Sequence, residues 1–413
     1  MSAGGLPGSP PPAAEVSATG DAGPALPTGT VVGYSCANFG VNMVSALTNT
    51  AMPLFLGGYG LPNLVIGFLA QERSFVGGFV QPLVGALSDR TATRWGRRKP
   101  FFLVGVPLTI ASLLVLANHP PLWAVLTLLA VFSFFLAVAN DPYLALMADI
   151  TPERQRGRVG SVMALFNMLG QVTLLYIASQ YWATNEGLVF AAVGVGLALS
   201  FAITFTTVHE PAAPLPAPPV QRSPAAYLRE VLRYREVAKY CGTQFFFWLG
   251  AGAAVPFITR FGIDVLGTDE ALAFRLMMVA VRATAVAALP AGMLGDRFGK
   301  KPVLSAGLVL FSAVTLVGSQ TQTVEQGMVV MALVGTSNAV ITSLAFPLLT
   351  DLMPADRKGE FTGLGSLVWS LAQPIGATLA GLTVDLTGSF RTVFLVSGIM
   401  IAIAGVSLQA VHP

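Results

Sequence analysis

Charge is what this chain has least of. Only 10% of its 413 residues are charged and 54% are hydrophobic, a ratio that cannot clothe a soluble surface. There are three histidines, His119, His209 and His412, all at the ends of apolar runs. None belongs to a cluster at metal-ligand spacing, and no Ser, His and Asp set gathers at one depth, so neither a metal, a cofactor nor an enzymatic site is expected. The two cysteines, Cys36 and Cys241, fall inside apolar runs, where a structural disulfide is not expected. A basic patch for nucleic acid is also missing, because the net charge of +3 is dispersed along the chain.

What the chain has instead is apolar length. Runs over 31–56, 62–87, 100–117, 122–148, 159–182, 187–208, 239–263, 270–294, 302–318, 326–350, 361–384 and 390–411 are mostly long enough for a helix to cross a ~30 Å hydrocarbon core. They predict an all-α membrane protein of twelve transmembrane helices. Eighteen of the 23 Lys and Arg fall in alternate connections, at 88–99, 149–158, 209–239, 295–301 and 351–360. The connections near 57–61, 118–121, 183–186 and 319–325 have none. Basic residues collect on the cytoplasmic side, so both termini are expected in the cytoplasm of a chain integral to the plasma (inner) membrane. Residues 1–30, rich in Pro, Gly and Ala, read as a disordered cytoplasmic tail and not as a signal peptide.

The two halves of the chain carry the same punctuation 202–207 residues apart. GALSDRTATRWGRRKPFFL at 85–103 is answered by GMLGDRFGKKPVL at 292–304, and DITPERQRGR at 149–158 by DLMPADRKGE at 351–360. Val208-His209-Glu210-Pro211 is answered by Val411-His412-Pro413. The expected units are six-helix bundles at 31–208 and 239–413, joined by a cytoplasmic linker at 209–238. Its Pro-rich stretch at 211–224 reads as extended. AAYLREVLRYREVAK at 225–239 reads as a helix, either lying on the membrane or solvated.

The doubled G-x-x-x-D-R followed by a glycine, a run of Lys and Arg and a proline, each time after the second helix of a half, resembles the signature of the major facilitator superfamily. Within it, Val80-Gln81-Pro82, Ser88-Asp89-Arg90, Thr93 to Phe101, Asn140, Pro142, Ala145-Leu146 and Ala148-Asp149 are similar to plant-type sucrose transporters and glycoside-pentoside-hexuronide cation symporters. The resemblance implies two pseudo-symmetric bundles around a cavity that opens alternately to each side. It also implies a gating task for Asp89, Arg90, Arg97, Asp149, Asp296, Arg297 and Asp351, whose contacts would latch one face, with Glu153 and Asp356 among the partner acids. Two positions depart from the pattern. Leu144 stands where sucrose transporters place an arginine, and Gly77 and Gln81 stand where melibiose-type permeases carry cation-binding aspartates, which counts against a sodium site of that kind.

Ionisable side chains deep in a bilayer are costly and mark function. Asp141 lies ~12 Å inside the end of helix 4, between Asn140 and Pro142, which precedes Tyr143; proline there removes a donor and frees carbonyls beside the carboxylate. Asp141 and Glu72 are the candidates for proton coupling. Glu72 and Arg73, adjacent on helix 2, point ~100° apart and need different partners. Arg282, ~21 Å up helix 8, is expected in the substrate site, in a charge pair with Glu72 or Asp141, or in a structural pair. Helix 1 carries Tyr34, Asn38, Asn42, Ser45 and Asn49 as one polar stripe. Asn167 with Gln171, Gln244 with Trp248, Trp369 with Gln373, and Asn338 add amides and indoles on four other helices. This set suits a neutral polyhydroxylated solute; interhelical hydrogen bonding is the competing use.

The expectation is a secondary transporter working by alternating access, coupled to protons, importing a sugar or glycoside and acting as a monomer. A proton-driven exporter, or a non-transporting assembly factor of the same fold, stays open from the residues alone.

Overall fold

A computed structural model of the chain describes residues 26–91, 93–210, 234–353 and 358–412. The expected tail up to residue 25, most of the linker with residues 225–233 of its expected helix, and Asp356 lie outside the described residues, while 235–239 open the first helix of the second half.

Every regular element among the described residues is helical. Twelve long helices follow in order: α1 Thr28–Gly57, α2 Asn63–Arg90, α3 Lys99–Leu116, α4 Leu122–Ile150, α5 Arg156–Tyr181, α6 Glu186–Thr207, α7 Arg235–Leu266, α8 Glu270–Phe298, α9 Lys300–Gly318, α10 Val324–Asp351, α11 Lys358–Thr387 and α12 Arg391–Gln409. Eleven contain a stretch long and apolar enough to cross a membrane. The other, α2, is 28 residues long and carries Gln71, Glu72, Arg73 and Ser74 midway. Most helices overrun the apolar runs by up to a turn where Lys, Arg and Asp follow, because a helix continues to hydrogen-bond itself after its side chains turn polar.

The start of α1 and the end of α12 share one face of the bundle, here the terminal face; the opposite one is the far face. Repeat-related contacts hold each half. In the first, Tyr34 on α1 donates to the carbonyl of Tyr143 on α4 at 2.9 Å; in the second, Tyr240 on α7 donates to the carbonyl of Ala345 on α10 at 2.7 Å. Near the terminal face, Lys99 Nζ donates to Phe205 O at 2.8 Å and Lys301 Nζ to Val411 O at 2.6 Å. Gly96 and Gly299, the glycines of the doubled loop motif, both take positive φ (106° and 90°), a conformation that costs glycine little.

The first helix of each half is interrupted near its far end. α1 passes through a π turn at Leu47–Ala51 just before Pro53, and α7 through a 3₁₀ turn at Val255–Phe257 that contains Pro256. A proline without an N–H frees a carbonyl one turn earlier and loosens the ladder there. The two interruptions meet, with Thr259 Oγ1 donating to Thr50 O at 2.9 Å across the halves. On the same side α2 and α11 approach so closely that a Cβ on Gly67 or Gly381 would run into the other helix's backbone at Ala377 and Asn63. Towards the terminal face, Gly77 and Gly85 on α2 and Gly292 on α8 have nothing within 4 Å in the Cβ direction. The halves are clasped at the far face.

Candidate substrate cavity

Between the halves lies a cavity of about 610 Å³, within the range of small-molecule sites. Polar side chains reach it from both bundles: Asn42, Ser45 and Asn49 on α1, Gln71 and Arg73 on α2, Asn167 and Gln171 on α5, Thr284 on α8, Asn338 on α10 and Gln373 on α11. Two indoles, Trp248 on α7 and Trp369 on α11, stand nearly perpendicular with ring centres 6.3 Å apart. The apolar part of the wall includes Met277, Phe311, Met331 and Phe394.

Helical spacing explains most of this convergence. Asn42, Ser45 and Asn49 sit three and four apart, so one face of α1 delivers all three. Partial pairing fixes the amides without using them up. Gln71 Nε2 donates to Asn49 Oδ1 at 2.9 Å, and Gln171 Nε2 to Asn167 Oδ1 at 2.5 Å. Each pair leaves further amide donors and acceptors for a solute.

The expected substrate residues divide. Asn42, Asn167, Gln171, Trp248, Asn338, Trp369 and Gln373 line the cavity; Asn38, Asn140, Tyr143, Gln244 and Arg282 do not. Asn38 instead ties α1 to α5, donating to Met163 O at 2.8 Å and receiving Asn42 Nδ2 on its own carbonyl at the same distance. Gln244 donates to the Tyr240 hydroxyl at 2.6 Å. Tyr143 is fully buried, its ring stacked on Tyr34 with centres 4.8 Å apart. Asn140 is hydrogen-bonded to Asp141.

Arg282 corrects the expectation most clearly. It is exposed on the face of α8 that carries Val286, Leu289 and Met293, whereas Met277, Val281, Thr284 and Ala288 turn to the cavity. No ion pair joins it to Glu72 or Asp141. A helix turns ~100° per residue, and one step past Val281 carries Arg282 off the cavity face. The arginine within electrostatic reach of both carboxylates is Arg73. Glu72 is buried and receives the hydroxyl of Ser133 on α4; Asp141 is half-buried, with Oδ2 out of hydrogen-bond reach of any described group.

Four of the expected gating residues, Asp89, Arg97, Asp149 and Asp351, form ion pairs within their own half. Arg97 meets Asp149 at 2.7 Å, and Arg98 bridges Asp149 at 3.0 Å and Asp89. In the second half Lys300 meets Asp351 at 2.6 Å. Arg90 and Asp296 are exposed, Arg297 stacks over Phe298, and the side chain of Glu153 lies outside the described residues. Glu210 joins the first cluster, accepting the backbone N–H of Arg97 at 2.9 Å and that of Arg98 at 3.1 Å. Its doubled Val-His ending was the signal in the sequence that marks this corner. Of the other contributors, Arg73 stood out in the sequence only as a charge in need of a partner, while Gln71, Thr284 and Ser343 were left out, the two hydroxyls looking like ordinary helix-interior residues.

Twelve helices in two related halves around a central cavity, with polar side chains from both halves set in a largely apolar wall, define a membrane transporter, not an enzyme. The profile of the MFS/sugar transport proteins matches residues 33–408, and the chain belongs to that family. It is 25% identical over 407 residues to YxiO, an MFS-type transporter of Bacillus subtilis (strain 168), covering 92% of this chain and 93% of that one. It is 30% identical over 159 residues to the sucrose transport protein SUC4 of Arabidopsis thaliana, covering 33% of this chain and 31% of the plant protein. A point mutant of the nucleoside transporter NupG superposes with a TM-score of 0.77 at 11% identity, covering 93% of this chain and all of that one, a likeness of fold.

Proposed function

We propose that the chain imports a sugar or glycoside together with protons by alternating access. The observation that carries this is the wall of the central cavity, where amides and hydroxyls from both halves surround two crossed indoles. Hydroxyl-rich solutes are bound by such donors and acceptors, with aromatic faces against their C–H surfaces. The partial match to a sucrose transport protein supports the same substrate class. The gathering of basic loops at the terminal face supports a cytoplasmic location for that face in a plasma-membrane protein, and in that reading the far-face clasp corresponds to an inward-facing state. A monomer as the working unit is part of this reading, supported by the lining of the cavity coming from a single copy.

Asp141 carries the proton in this reading. Its Oδ2 is buried without a hydrogen-bond partner among the described groups, and Arg73 lies within electrostatic reach. Protonation changes the attraction between the two, and the state of Arg73 is felt directly in the cavity it lines. Opening to the outside breaks the far-face contacts while Asp89, Arg90, Arg97, Asp149, Asp296, Arg297 and Asp351 reorganise at the terminal face. The test is uptake of labelled mono- and disaccharides into proteoliposomes, with and without an inward proton gradient, for the wild type and Asp141→Asn. Gradient-driven uptake lost in the variant with exchange retained supports the reading. Lack of uptake of every sugar would turn it to export of apolar metabolites, which Met277, Phe311, Met331 and Phe394 suit.

A further inference from the structure

A second cavity, of about 580 Å³, lies between α3 and α6. Neither helix contributes to the wall of the central cavity, so the exposed residues that line this one, among them Leu103, Pro107, Ala111, Ala198 and Ala202, face outward from the bundle. Both helices are long and apolar enough to cross a membrane, which makes the cavity a groove open to lipid. Apart from Thr206 its lining is apolar, and it exists because alanines stand where larger side chains would fill it. From Phe102 to Leu114 it runs ~18 Å along α3, starting near the terminal face, and one leaflet of a ~30 Å hydrocarbon core is about that deep.

The terminal end of the groove carries positive charge. Phe205 lines it there, and Lys99, buried at the start of α3, holds Nζ 5.0 Å from the centre of that ring. Trp95 meets the same ring edge-on with centres 6.4 Å apart, and Arg94 stacks over Trp95 with its guanidinium carbon 4.5 Å from the indole centre. Arg94 and Trp95 are exposed, and the Arg94 side chain forms no hydrogen bond or ion pair with a described residue. The carboxylate at this corner is spent: Glu210 is buried and accepts the backbone N–H groups of Arg97 and Arg98. An exposed cation beside an indole suits the headgroup level of a membrane, where basic residues attract anionic lipid.

We propose that this groove is a site for an anionic phospholipid of the leaflet on the terminal side, with one acyl chain between α3 and α6 and the phosphate at Arg94. The apolar slot accounts for the chain, and the unspent guanidinium, which can hold two phosphate oxygens at once, accounts for the headgroup. A zwitterionic lipid brings an ammonium of its own, which meets Arg94 and Lys99 as a like charge. The headgroup then sits beside the loop that carries Arg97 and Arg98.

The experiment is native mass spectrometry of the purified full-length protein, offered equal amounts of dioleoyl phosphatidylglycerol and dioleoyl phosphatidylcholine in detergent. The wild type is expected to retain the anionic lipid over the zwitterionic one by about fivefold or more. Arg94→Gln should remove most of that preference, and so should Ala202→Trp, which fills the groove without touching a charge. Arg235→Gln, which deletes an exposed cation at the same face but on α7, should leave it intact. Equal retention of the two lipids by the wild type would overturn the site. So would equal falls in the Arg94 and Arg235 variants, which would reveal only diffuse attraction to a basic face, or an Ala202→Trp protein with the wild-type preference. Should Ala202→Trp fail to fold, the comparison of Arg94→Gln with Arg235→Gln, both at exposed positions, still decides.

Discussion

The carboxylate of Asp385, near the far end of α11, accepts three hydrogen bonds from the start of α2: from Asn63 N, Asn63 Nδ2 and Leu64 N, each at 2.9 Å. It therefore caps a helix of the other half, where free N–H groups and the helix dipole both favour an anion. Gly67 and Gly381 bring the two helices together beside it.

Removing that cap weakens the far-face clasp. Hydrogen bonds to a charged group are worth about 1.5–3 kcal/mol each when protected, and exposure of Asp385 reduces the total, so Asp385→Ala should shift the balance toward far-face opening by roughly 1–2 kcal/mol. The readout is labelling of Asn49→Cys, in a background with Cys36 and Cys241 replaced by Ser, by an impermeant thiol reagent added from the far side. A rate raised about fivefold or more is expected; an unchanged rate would remove Asp385 from the gate.

The tyrosine clamps make a second prediction. Tyr34→Phe and Tyr240→Phe each keep the ring and delete the hydrogen bond to a carbonyl of α4 or α10, and Tyr240→Phe also removes the acceptor of Gln244. Each should destabilise by about 1–2 kcal/mol, and the double variant should show the sum, because the clamps belong to different halves and share no partner. Thermal unfolding in detergent measures both. A double variant no worse than either single one would mean that the clamps are coupled.

Ion pairs at the terminal face differ in burial, and so should their worth. Arg98 is buried and bridges Asp89 and Asp149, with 7% of its side chain exposed, whereas Lys300 and Asp351 are 30% and 48% exposed. Arg98→Ala strips partners from two carboxylates and should cost about 2–4 kcal/mol, while Lys300→Ala should cost less than about 1 kcal/mol. Equal losses in melting temperature would show that burial does not govern these pairs.

Much of the architecture was legible in the sequence, because the physics that writes it is coarse. Apolar length and loop charge delineate the helices, and the doubled motifs reveal the two halves. Cys36 and Cys241 are free thiols on helices of different halves. Asn167 with Gln171 and Trp369 with Gln373 line the cavity as i, i+4 pairs on one helix face, whereas the pairs Asn38–Asn42 and Gln244–Trp248 split, their first members turning to Met163 and Tyr240. Arg282 was misplaced because depth can be counted along a helix, while azimuth depends on which neighbours that helix packs against. Asp385 was invisible for a related reason: its partner is a helix end 322 residues away.

Glycine substitutions separate the clasp from ordinary helix propensity. In a helix interior Gly→Ala usually stabilises by up to about 1 kcal/mol, because alanine has less backbone freedom to lose on folding. Gly77→Ala on α2 should behave that way, since its Cβ would meet nothing within 4 Å. Gly381→Ala on α11 should do the reverse. Its Cβ would run into the carbonyl of Asn63 and the backbone beyond it, and backbone cannot swing aside as a flexible side chain can. The helices must then part at the far face, which also stretches the Asp385 cap. Gly381→Ala should lower the melting temperature and raise far-side labelling of Asn49→Cys together, whereas Gly77→Ala should leave labelling unchanged and hold or raise the melting temperature. A Gly381→Ala protein as stable and as closed as the wild type would mean that the close approach of α2 and α11 does not keep the far face shut.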